Sequence, residues 1–173
     1  MKILATPKML LSVLLLAWSV QSANAACRDD IPASTPSSDF TVHNNGTVTH
    51  TTTGLMWMRC RLGQSWDGSS CSGSTSTYTW ANALAAAQSH EFGGYSDWRL
   101  PNKNELESIV EERCVSPAIN TAIFPGTPSS WFWSSSPHAD GSAYTWGVVF
   151  NGGYVDGYLK NFDFRVRLVR AGQ

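Results

Sequence analysis

Alternating apolar and polar positions in residues 40–58 predict short antiparallel strands early in the chain. Residues 40–43 and 47–50 alternate in this way on either side of Asn44-Asn45-Gly46. An Asn-Gly dipeptide between β-branched runs is a strong hairpin signal. A turn at Thr53-Gly54 then leads into the apolar residues 55–58, which predict a buried strand.

Helical spacing replaces this alternation in the middle of the chain. Thr79 is the expected N-cap of a first helix, which we expect Gly93-Gly94 to end. The apolar face of this helix comprises Trp80, Leu84 and Ala87. A second helix is predicted over residues 103–113, with Asn102 as N-cap and Glu105 as its capping-box partner. Four glutamates are expected on its solvated flanks: Glu105, Glu107, Glu111 and Glu112.

The last third of the chain is predicted to be strand and turn. A short strand at residues 131–136 precedes a hairpin in which Asn151-Gly152-Gly153 joins residues 144–150 to Tyr154-Val155. Residues 162–170 alternate again, which predicts a strand with its apolar side chains on the core face. The opposite face of that strand carries Arg165 and Arg167. Two helices among antiparallel strands predict an α+β fold.

The first 25 residues have the features of a signal peptide. Lys2 and Lys8 precede an apolar run that covers residues 9–20, and Ala23-Asn24-Ala25 fits a signal-peptidase site. The run is shorter than the roughly 20 residues of a membrane-spanning helix. We therefore predict a signal peptide at 1–25, an N-terminal arm at 26–39 and a single domain at 40–171. The protein is expected to be periplasmic or secreted to the cell surface, with no transmembrane segment after cleavage.

All four cysteines follow the predicted cleavage site, and an even number in an exported chain predicts two disulfides. Three pairings are open. Cys60 and Cys71 bracket a short Gly/Ser-rich loop, so we expect these two to pair and Cys27 to bond with Cys114. Lipidation of Cys27 is an alternative fate of the first cysteine. The spacing has no CxxC pair and no histidine beside a cysteine, so no metal site is predicted.

Charge and composition narrow the classes of partner. Without the leader, ten basic and thirteen acidic residues remain, and there is no basic stripe of the kind that binds nucleic acid. The length suits one domain. His43 and His50 lie on the polar hairpin, where we expect solvated side chains and no metal.

Five motifs occur in order along the chain: Thr47-Val48, Thr53-Gly54-Leu55-Met56-Trp57, Gly94-Tyr95-Ser96-Asp97-Trp98-Arg99-Leu100-Pro101, Trp133-Ser134-Ser135-Ser136 and Arg165-Val166-Arg167-Leu168-Val169-Arg170. At these motifs the chain resembles the Lcl C-terminal domain family of exported bacterial domains. The resemblance extends from about residue 40 to residue 170, which is nearly all of the mature chain.

This resemblance implies a domain related to the C-type lectin fold, in which the N- and C-terminal strands pair and a loop-rich sheet carries the binding face. It also implies a role in surface attachment, because collagen-like members bind sulfated polysaccharide. The present chain has no collagen-type Gly-x-y repeat and its mature part is slightly acidic. Arg165, Arg167 and Arg170 are therefore expected to form only a small local anion site.

Aromatic and polar residues near the C-terminus predict a binding surface. We expect its contact residues to be Tyr154, Asp156, Tyr158 and Asn161, with Arg165 and Arg167 as further ligand-binding residues. Four tryptophans are expected inside the domain: Trp57, Trp80, Trp98 and Trp133. No cofactor is predicted. If calcium binds, as in many relatives of the C-type lectin fold, the candidate ligands are Asp140, Asp156 and Asp163.

The residue types of a catalytic triad occur in residues 134–140, but no Gly-x-Ser-x-Gly sequence surrounds them. Formylglycine-type oxidation would require reactive cysteines near the C-terminus, but no cysteine follows Cys114. We therefore predict a non-enzymatic module for attachment or adhesion, whose ligand is an extracellular glycan or a surface protein. The alternatives are a structural component of a cell-surface or pilus-type complex and an enzyme that acts on envelope polymers.

Overall fold

Short strands dominate the part of the chain that the structure, a computed structural model, describes, namely residues 25–172. The predicted signal peptide lies outside this part except for Ala25. The described residues form eleven strands, two α-helices and one 3-10 helix at Ser37–Asp39. The strands are β1 (Ala26–Cys27), β2 (Phe40–Val42), β3 (Thr47–His50), β4 (Leu55–Met58), β5 (Ser65–Trp66), β6 (Cys71–Ser72), β7 (Cys114–Val115), β8 (Trp131–Pro137), β9 (Tyr144–Val149), β10 (Tyr154–Leu159) and β11 (Val169–Ala171). The helices are α1 (Trp80–Gln88) and α2 (Lys103–Glu107). Neither helix in residues 25–172 is long and apolar enough to cross a membrane.

A four-stranded antiparallel sheet in the order β11-β4-β3-β2 brings the two ends of the domain together. The predicted hairpin β2–β3 is confirmed, with Phe40 opposite His50. Gly46 in its turn has a φ of 81°, a left-handed conformation that glycine adopts without strain. The last strand, β11, pairs with β4 and places Val169 opposite Trp57.

The strands β8, β9 and β10 form a second antiparallel sheet in the order β10-β9-β8. The predicted hairpin at Asn151-Gly152-Gly153 is confirmed, with Tyr154 opposite Val149. Gly147 in β9 permits a close approach, because a Cβ there would lie 2.7 Å from the carbonyl oxygen of Phe132. Among the described strands none pairs with the outer side of β10, so β10 is an edge strand.

Two hydrophobic cores lie on opposite faces of strands β4 and β8. Trp57 and Phe132 belong to the first core, whereas the next residues along each strand, Met58 and Trp133, belong to the second. This alternation follows from strand geometry. Strands buried on both faces carry continuous apolar sequence, which explains the run in β4. The predicted burial of Trp57, Trp98 and Trp133 is confirmed, whereas Trp80 is only half-buried.

Both predicted helices are present, but both are shorter than predicted, and α1 ends at Gln88 instead of at Gly93-Gly94. Thr79 caps α1 by accepting a hydrogen bond from the N–H of Asn82. In α2, Asn102 and Glu105 form the predicted capping box. The extension to residue 113 is wrong: α2 ends at Glu107, and Val110 instead forms a β-bridge with Ile119. Val110 is buried in the first core, where a β-branched side chain packs well in extended backbone.

Ion pairs join the segment before α2 to the rest of the domain. Arg99 binds both carboxylate oxygens of Glu105, each at 2.7 Å. These hydrogen bonds outweigh burial and lower the pKa of Glu105 below its ordinary value. The buried Arg170 donates from Nε to Asp97 Oδ1 at 2.6 Å, so it is not part of the predicted anion site.

The N-terminal arm is held at two places. The predicted disulfide Cys27–Cys114 is present, and β1 pairs with β7. The prediction that Glu111 is solvated is wrong, because its side chain is buried against the arm. Its carboxylate accepts hydrogen bonds from the N–H groups of Ser34 and Thr35, at 3.0 and 2.8 Å. Burial alone would raise the pKa of Glu111, but these donors outweigh it and lower the pKa.

The second predicted disulfide, Cys60–Cys71, is also present and closes a loop that contains the short strands β5 and β6. Trp66 in this loop is half-buried. Its indole N–H donates to the carbonyl oxygen of Asn44 at 3.1 Å, and the guanidinium of Arg59 lies 4.4 Å from its ring centroid. Trp66 therefore fastens the loop to the first hairpin.

Two further sequence predictions are corrected by long-range packing. His50 is not solvated: it is buried and stacks on Phe40 with ring centroids 4.7 Å apart. Burial lowers its pKa below the ordinary value, opposed by the charge of Asp39. The predicted strand over residues 162–170 is confined to β11, preceded by single bridges at Phe164 and Arg165.

Candidate ligand-binding face

Strand β10 presents three of the predicted contact residues on one side of its sheet. Tyr154, Asp156 and Tyr158 are alternate residues of this strand, and alternate residues in a strand point to the same face. Tyr154 is 51% exposed, and the side chain of Asp156 also reaches solvent. From the sequence we expected residues 156–161 to form a loop after Tyr154-Val155, but the strand continues to Leu159. Tyr154 and Asp156 are exposed and Tyr158 is half-buried, and their role as contact residues stays a prediction.

Aromatic rings from three segments meet around Tyr158. Its ring centroid lies 5.0 Å from that of Trp131 in β8 and 4.7 Å from that of Phe162. Phe164 stacks on Trp131 at 5.1 Å. We call these residues, together with Tyr154, the aromatic face: Trp131, Tyr154, Tyr158, Phe162 and Phe164. Phe162 is 44% exposed, so the face offers apolar ring surface to solvent.

Polar groups border the aromatic face. Asp156 Oδ1 accepts a hydrogen bond from the N–H of Gly157 at 2.7 Å, which fixes the carboxylate beside the edge of β10. Asn161 is exposed in the turn after this strand. Lys160 donates from Nζ to the carbonyl oxygen of Ser142 at 2.6 Å and lies over the ring of Trp80 at 4.4 Å.

The two predicted arginines occupy different environments. Arg165 is half-buried beside the aromatic face, and its Nη1 donates to Ser130 Oγ at 2.6 Å. The prediction that Arg167 lies on the solvent face is wrong, because this side chain is fully buried. Residues 165–168 are covered on both sides, by hydrogen bonds to Leu62 and Met58 and to Trp133. Arg167 therefore cannot touch a ligand bound at the surface.

A second hollow, of about 300 Å³, opens next to Asp156 and contains residues that the sequence reasoning did not select. It is lined by His138, Asp140, Tyr144, Trp146, Asp156 and Gly157. The rings of His138 and Trp146 lie 4.1 Å apart, and His138 packs over Gly157, where a Cβ would lie only 2.8 Å from it. The alternation of Tyr144 and Trp146 in β9 was the available signal for an aromatic wall.

Two hydroxyls of the serine-rich strand end form hydrogen bonds within the fold. Ser134 is fully buried, and its hydroxyl donates to the carbonyl oxygen of Trp146 at 2.6 Å. The hydroxyl of Ser136 accepts the N–H of Lys103 at 3.0 Å. Both hydroxyls thus form hydrogen bonds with the backbone of neighbouring elements.

Acidic residues of the described region do not assemble into a metal centre. No group of three or more His, Cys, Asp or Glu side chains in residues 25–172 is arranged to hold an ion. The candidate calcium ligands Asp140, Asp156 and Asp163 accordingly do not come together as a set of three.

Comparison with known families covers the region that builds this face. The profile of the Lcl C-terminal domain matches residues 46–170, from the turn of the first hairpin to β11. The chain belongs to the Lcl C-terminal domain family. Its aromatic face and both hairpins lie inside the matched region of this Lcl C-terminal domain. No curated protein matches the chain significantly.

Proposed function

We propose that this Lcl C-terminal domain is a non-enzymatic binding module, exported to the periplasm or cell surface, that attaches to an extracellular glycan or surface protein. The observation that carries the proposal is the ring cluster around Tyr158, in which Phe162 is 44% exposed, together with Tyr154, which is 51% exposed on the same face of β10. Exposed apolar side chains that form a contiguous patch are typical of interaction sites.

The arrangement of the face suits a ligand with both flat apolar and polar surfaces. Trp131 and Tyr158 are held by ring contacts, so little side-chain entropy is lost when they bind. Asp156 and Asn161 lie beside the rings and provide hydrogen-bond partners. Stacking on rings and hydrogen bonding at the rim together favour a sugar or an extended peptide.

Export is supported by the chemistry of the chain. Neither disulfide of the described region is formed by a CxxC pair, and structural disulfides persist in oxidising compartments. A C-type-lectin-like fold is part of the same proposal, supported by the pairing of β11 with β4, which places an early and the last strand in one sheet.

A glycan array probed with the mature protein tests this function. We expect binding that Tyr154→Ala and Tyr158→Ala each weaken by roughly tenfold, as substitution of an aromatic anchor does at other interfaces. Val42→Ala is the matched control, because Val42 is 47% exposed on β2, remote in sequence from the face. An array that stays blank both with calcium and with a chelator would reject the glycan ligand.

The second candidate function is assembly into a cell-surface or pilus-type complex, and the open edge of β10 favours it. An edge strand can accept a strand from another chain. Here a stoichiometric protein would co-purify with the domain, and its binding would be lost when Val155→Pro blocks the edge. Binding of that partner to Val155→Pro at wild-type strength would contradict assembly through β10.

A further inference from the structure

Three arginines lie on neighbouring segments of the domain, and none of them forms an ion pair with a carboxylate in residues 25–172. Arg167 is fully buried, Arg61 is 8% exposed and Arg165 is half-buried. Every salt bridge of the described region involves other residues. The cluster, which we call the arginine cluster, is formed by Arg61, Arg165 and Arg167.

Backbone pairing brings together the segments that carry these side chains, which lie far apart in the chain. The N–H of Met58 donates to the carbonyl oxygen of Leu168 at 3.1 Å, and the N–H of Leu62 donates to that of Val166 at 2.9 Å. The segment that carries Arg61 therefore runs alongside the segment that carries Arg165 and Arg167.

Arg167 uses its terminal nitrogens inside the protein. Nη1 donates to the carbonyl oxygens of Met58 and Arg59, and Nη2 donates to Thr127 Oγ1 at 2.7 Å. These acceptors are neutral, so the positive charge of Arg167 has no counter-charge. Its Nε is buried with no hydrogen-bond partner in the described structure.

The other two arginines keep donors that are not used by the protein. Arg61 donates from Nε to Gln64 Oε1 at 3.1 Å, and no hydrogen bond from its two Nη atoms to a described residue is present. Arg165 uses Nη1 for Ser130, whereas its buried Nε has no acceptor in residues 25–172. Several N–H donors of the cluster therefore lack a partner.

The electrostatic environment is unfavourable for the positive charges as they stand. Burial lowers the pKa of Arg167 to about 9, and the nearby charge of Arg61 adds to this effect. Burial likewise lowers the pKa of Arg61 to about 10, with a contribution from Arg165. A buried charge normally requires an opposite charge and hydrogen bonds.

We propose that the arginine cluster binds one small anion, a halide or the oxyanion of a carboxylate or sulfate, through the free Nη donors of Arg61 and the side chain of Arg165. The charge of Arg167 lies beneath this site and strengthens it without touching the surface. The anion supplies the missing counter-charge, and planar guanidinium groups are suited to oxyanions because they donate two parallel hydrogen bonds. The site is separate from the aromatic face in its chemistry and does not depend on the proposed function.

Thermal unfolding of the mature protein at constant ionic strength tests the site. Chloride, acetate or sulfate replaces a bulky anion in increasing amounts. The midpoint of thermal unfolding, Tm, is recorded for wild type, Arg61→Met and Arg28→Met. Arg28 is the control because it is an exposed arginine paired with Asp30. In wild type we expect Tm to rise saturably, by roughly 4 °C at ten times the dissociation constant.

The variants separate binding from general salt effects. Arg28→Met is expected to keep the rise in Tm, whereas Arg61→Met is expected to lose it. At the lowest anion concentration Arg61→Met should have a higher Tm relative to wild type than at saturating anion, since one repelling charge is gone. The line width of ³⁵Cl NMR gives a direct readout, with broadening in wild type that acetate or sulfate competes away if oxyanions are preferred. Arg165→Met provides a second variant if Arg61→Met does not fold. Identical anion dependence in wild type, Arg61→Met and Arg165→Met would overturn the proposal.

Discussion

Glu111 holds the N-terminal arm against the domain through its carboxylate. It accepts hydrogen bonds from the backbone N–H groups of Ser34 and Thr35 and from the hydroxyl of Thr35. A carboxylate that accepts several N–H donors is strongly favoured in its charged form. The arm is therefore fixed by one buried side chain as well as by a disulfide.

We predict that Glu111→Gln destabilises the domain by about 2 kcal/mol, because hydrogen bonds to a charged acceptor are stronger and the new amide would oppose the N–H donors. Chemical unfolding at pH 7 measures the change. Glu112→Gln is the matched control, since Glu112 is the exposed neighbour and should leave the free energy of unfolding within about 0.5 kcal/mol.

We also predict that the effect of Glu111→Gln on stability depends on pH. The pKa of Glu111 is lower in the folded protein than its ordinary value of 4.5, so its contribution to stability is present above about pH 4.5. The contribution is lost as the pH falls through the lowered folded pKa. The stability difference between wild type and Glu111→Gln should therefore shrink in acid. A difference that grows between pH 5 and pH 3 would contradict this assignment.

Residues whose environment comes from distant segments were the ones that the sequence could not place. Glu111 is surrounded by residues 76 positions away, and Arg167 donates to a carbonyl 109 positions away. On a local pattern both are polar members of an amphipathic element. Their burial depends on which segments pack over them, and periodicity holds no information about that packing.

At the level of elements, the capping box of α2 is a local device that the sequence did reveal. Asn102 Oδ1 accepts from the N–H of Glu105 at 2.9 Å, and Glu105 Oε2 accepts from the N–H of Asn102 at 2.8 Å. Hairpins β2–β3 and β9–β10 were equally predictable, because Asn-Gly and Gly-Gly turns determine backbone conformation over a few residues. The end of α2 was not, since it depends on pairing of Val110 with Ile119.

We predict that Asn102→Ala lowers the free energy of unfolding by about 1 kcal/mol, the usual effect of losing an N-cap side chain. The control is Asn104→Ala, an exposed position inside the same helix where alanine has the higher helix propensity. Unfolding in urea at pH 7 compares the two variants. Equal destabilisation by both would show that the cap does not stabilise α2.

The two disulfides differ in the length of chain they close. Cys27–Cys114 spans 87 residues and Cys60–Cys71 spans 11. In the chain-entropy view, loss of the first costs about 4.5 kcal/mol and loss of the second about 3 kcal/mol. We predict that the double variant Cys27→Ala/Cys114→Ala has a lower unfolding midpoint in urea than the double variant Cys60→Ala/Cys71→Ala. The reverse order would indicate that the hydrogen bonds to Glu111 and the pairing of β1 with β7 hold the arm without the long disulfide.

On the scale of the whole molecule, β11 closes the domain by pairing with β4 between the two cores. Val169 lies opposite Trp57 and belongs to the first core, while Leu168 belongs to the second. Since Leu168 immediately precedes β11, the chain at the start of this strand contacts both cores and contributes to the cooperative unfolding of both. The α+β class could be predicted from the sequence, but the division into two cores could not, because it follows from sheet packing.

We predict that Val169→Asp prevents folding, since it places an uncompensated charge in a fully buried position. Circular dichroism in the near and far ultraviolet measures the loss of structure. Ala171→Asp is the control, because Ala171 is the exposed residue at the end of the same strand. A folded Val169→Asp protein with wild-type spectra would show that β11 is dispensable for the fold.

The hydrogen bond from Gly157 to Asp156 has a consequence for the behaviour of the protein in concentrated solution. Through it, the charged side chain of Asp156 takes up the N–H of Gly157 on the unpaired edge of β10. Charges on such edges prevent strands of different molecules from pairing into aggregates. Replacing Asp156 would thus alter colloidal stability as well as ligand contacts. A loss of binding in an Asp156 variant is interpretable only alongside its light scattering, and a rise in scattering would mean that the carboxylate protects the molecule from its own copies.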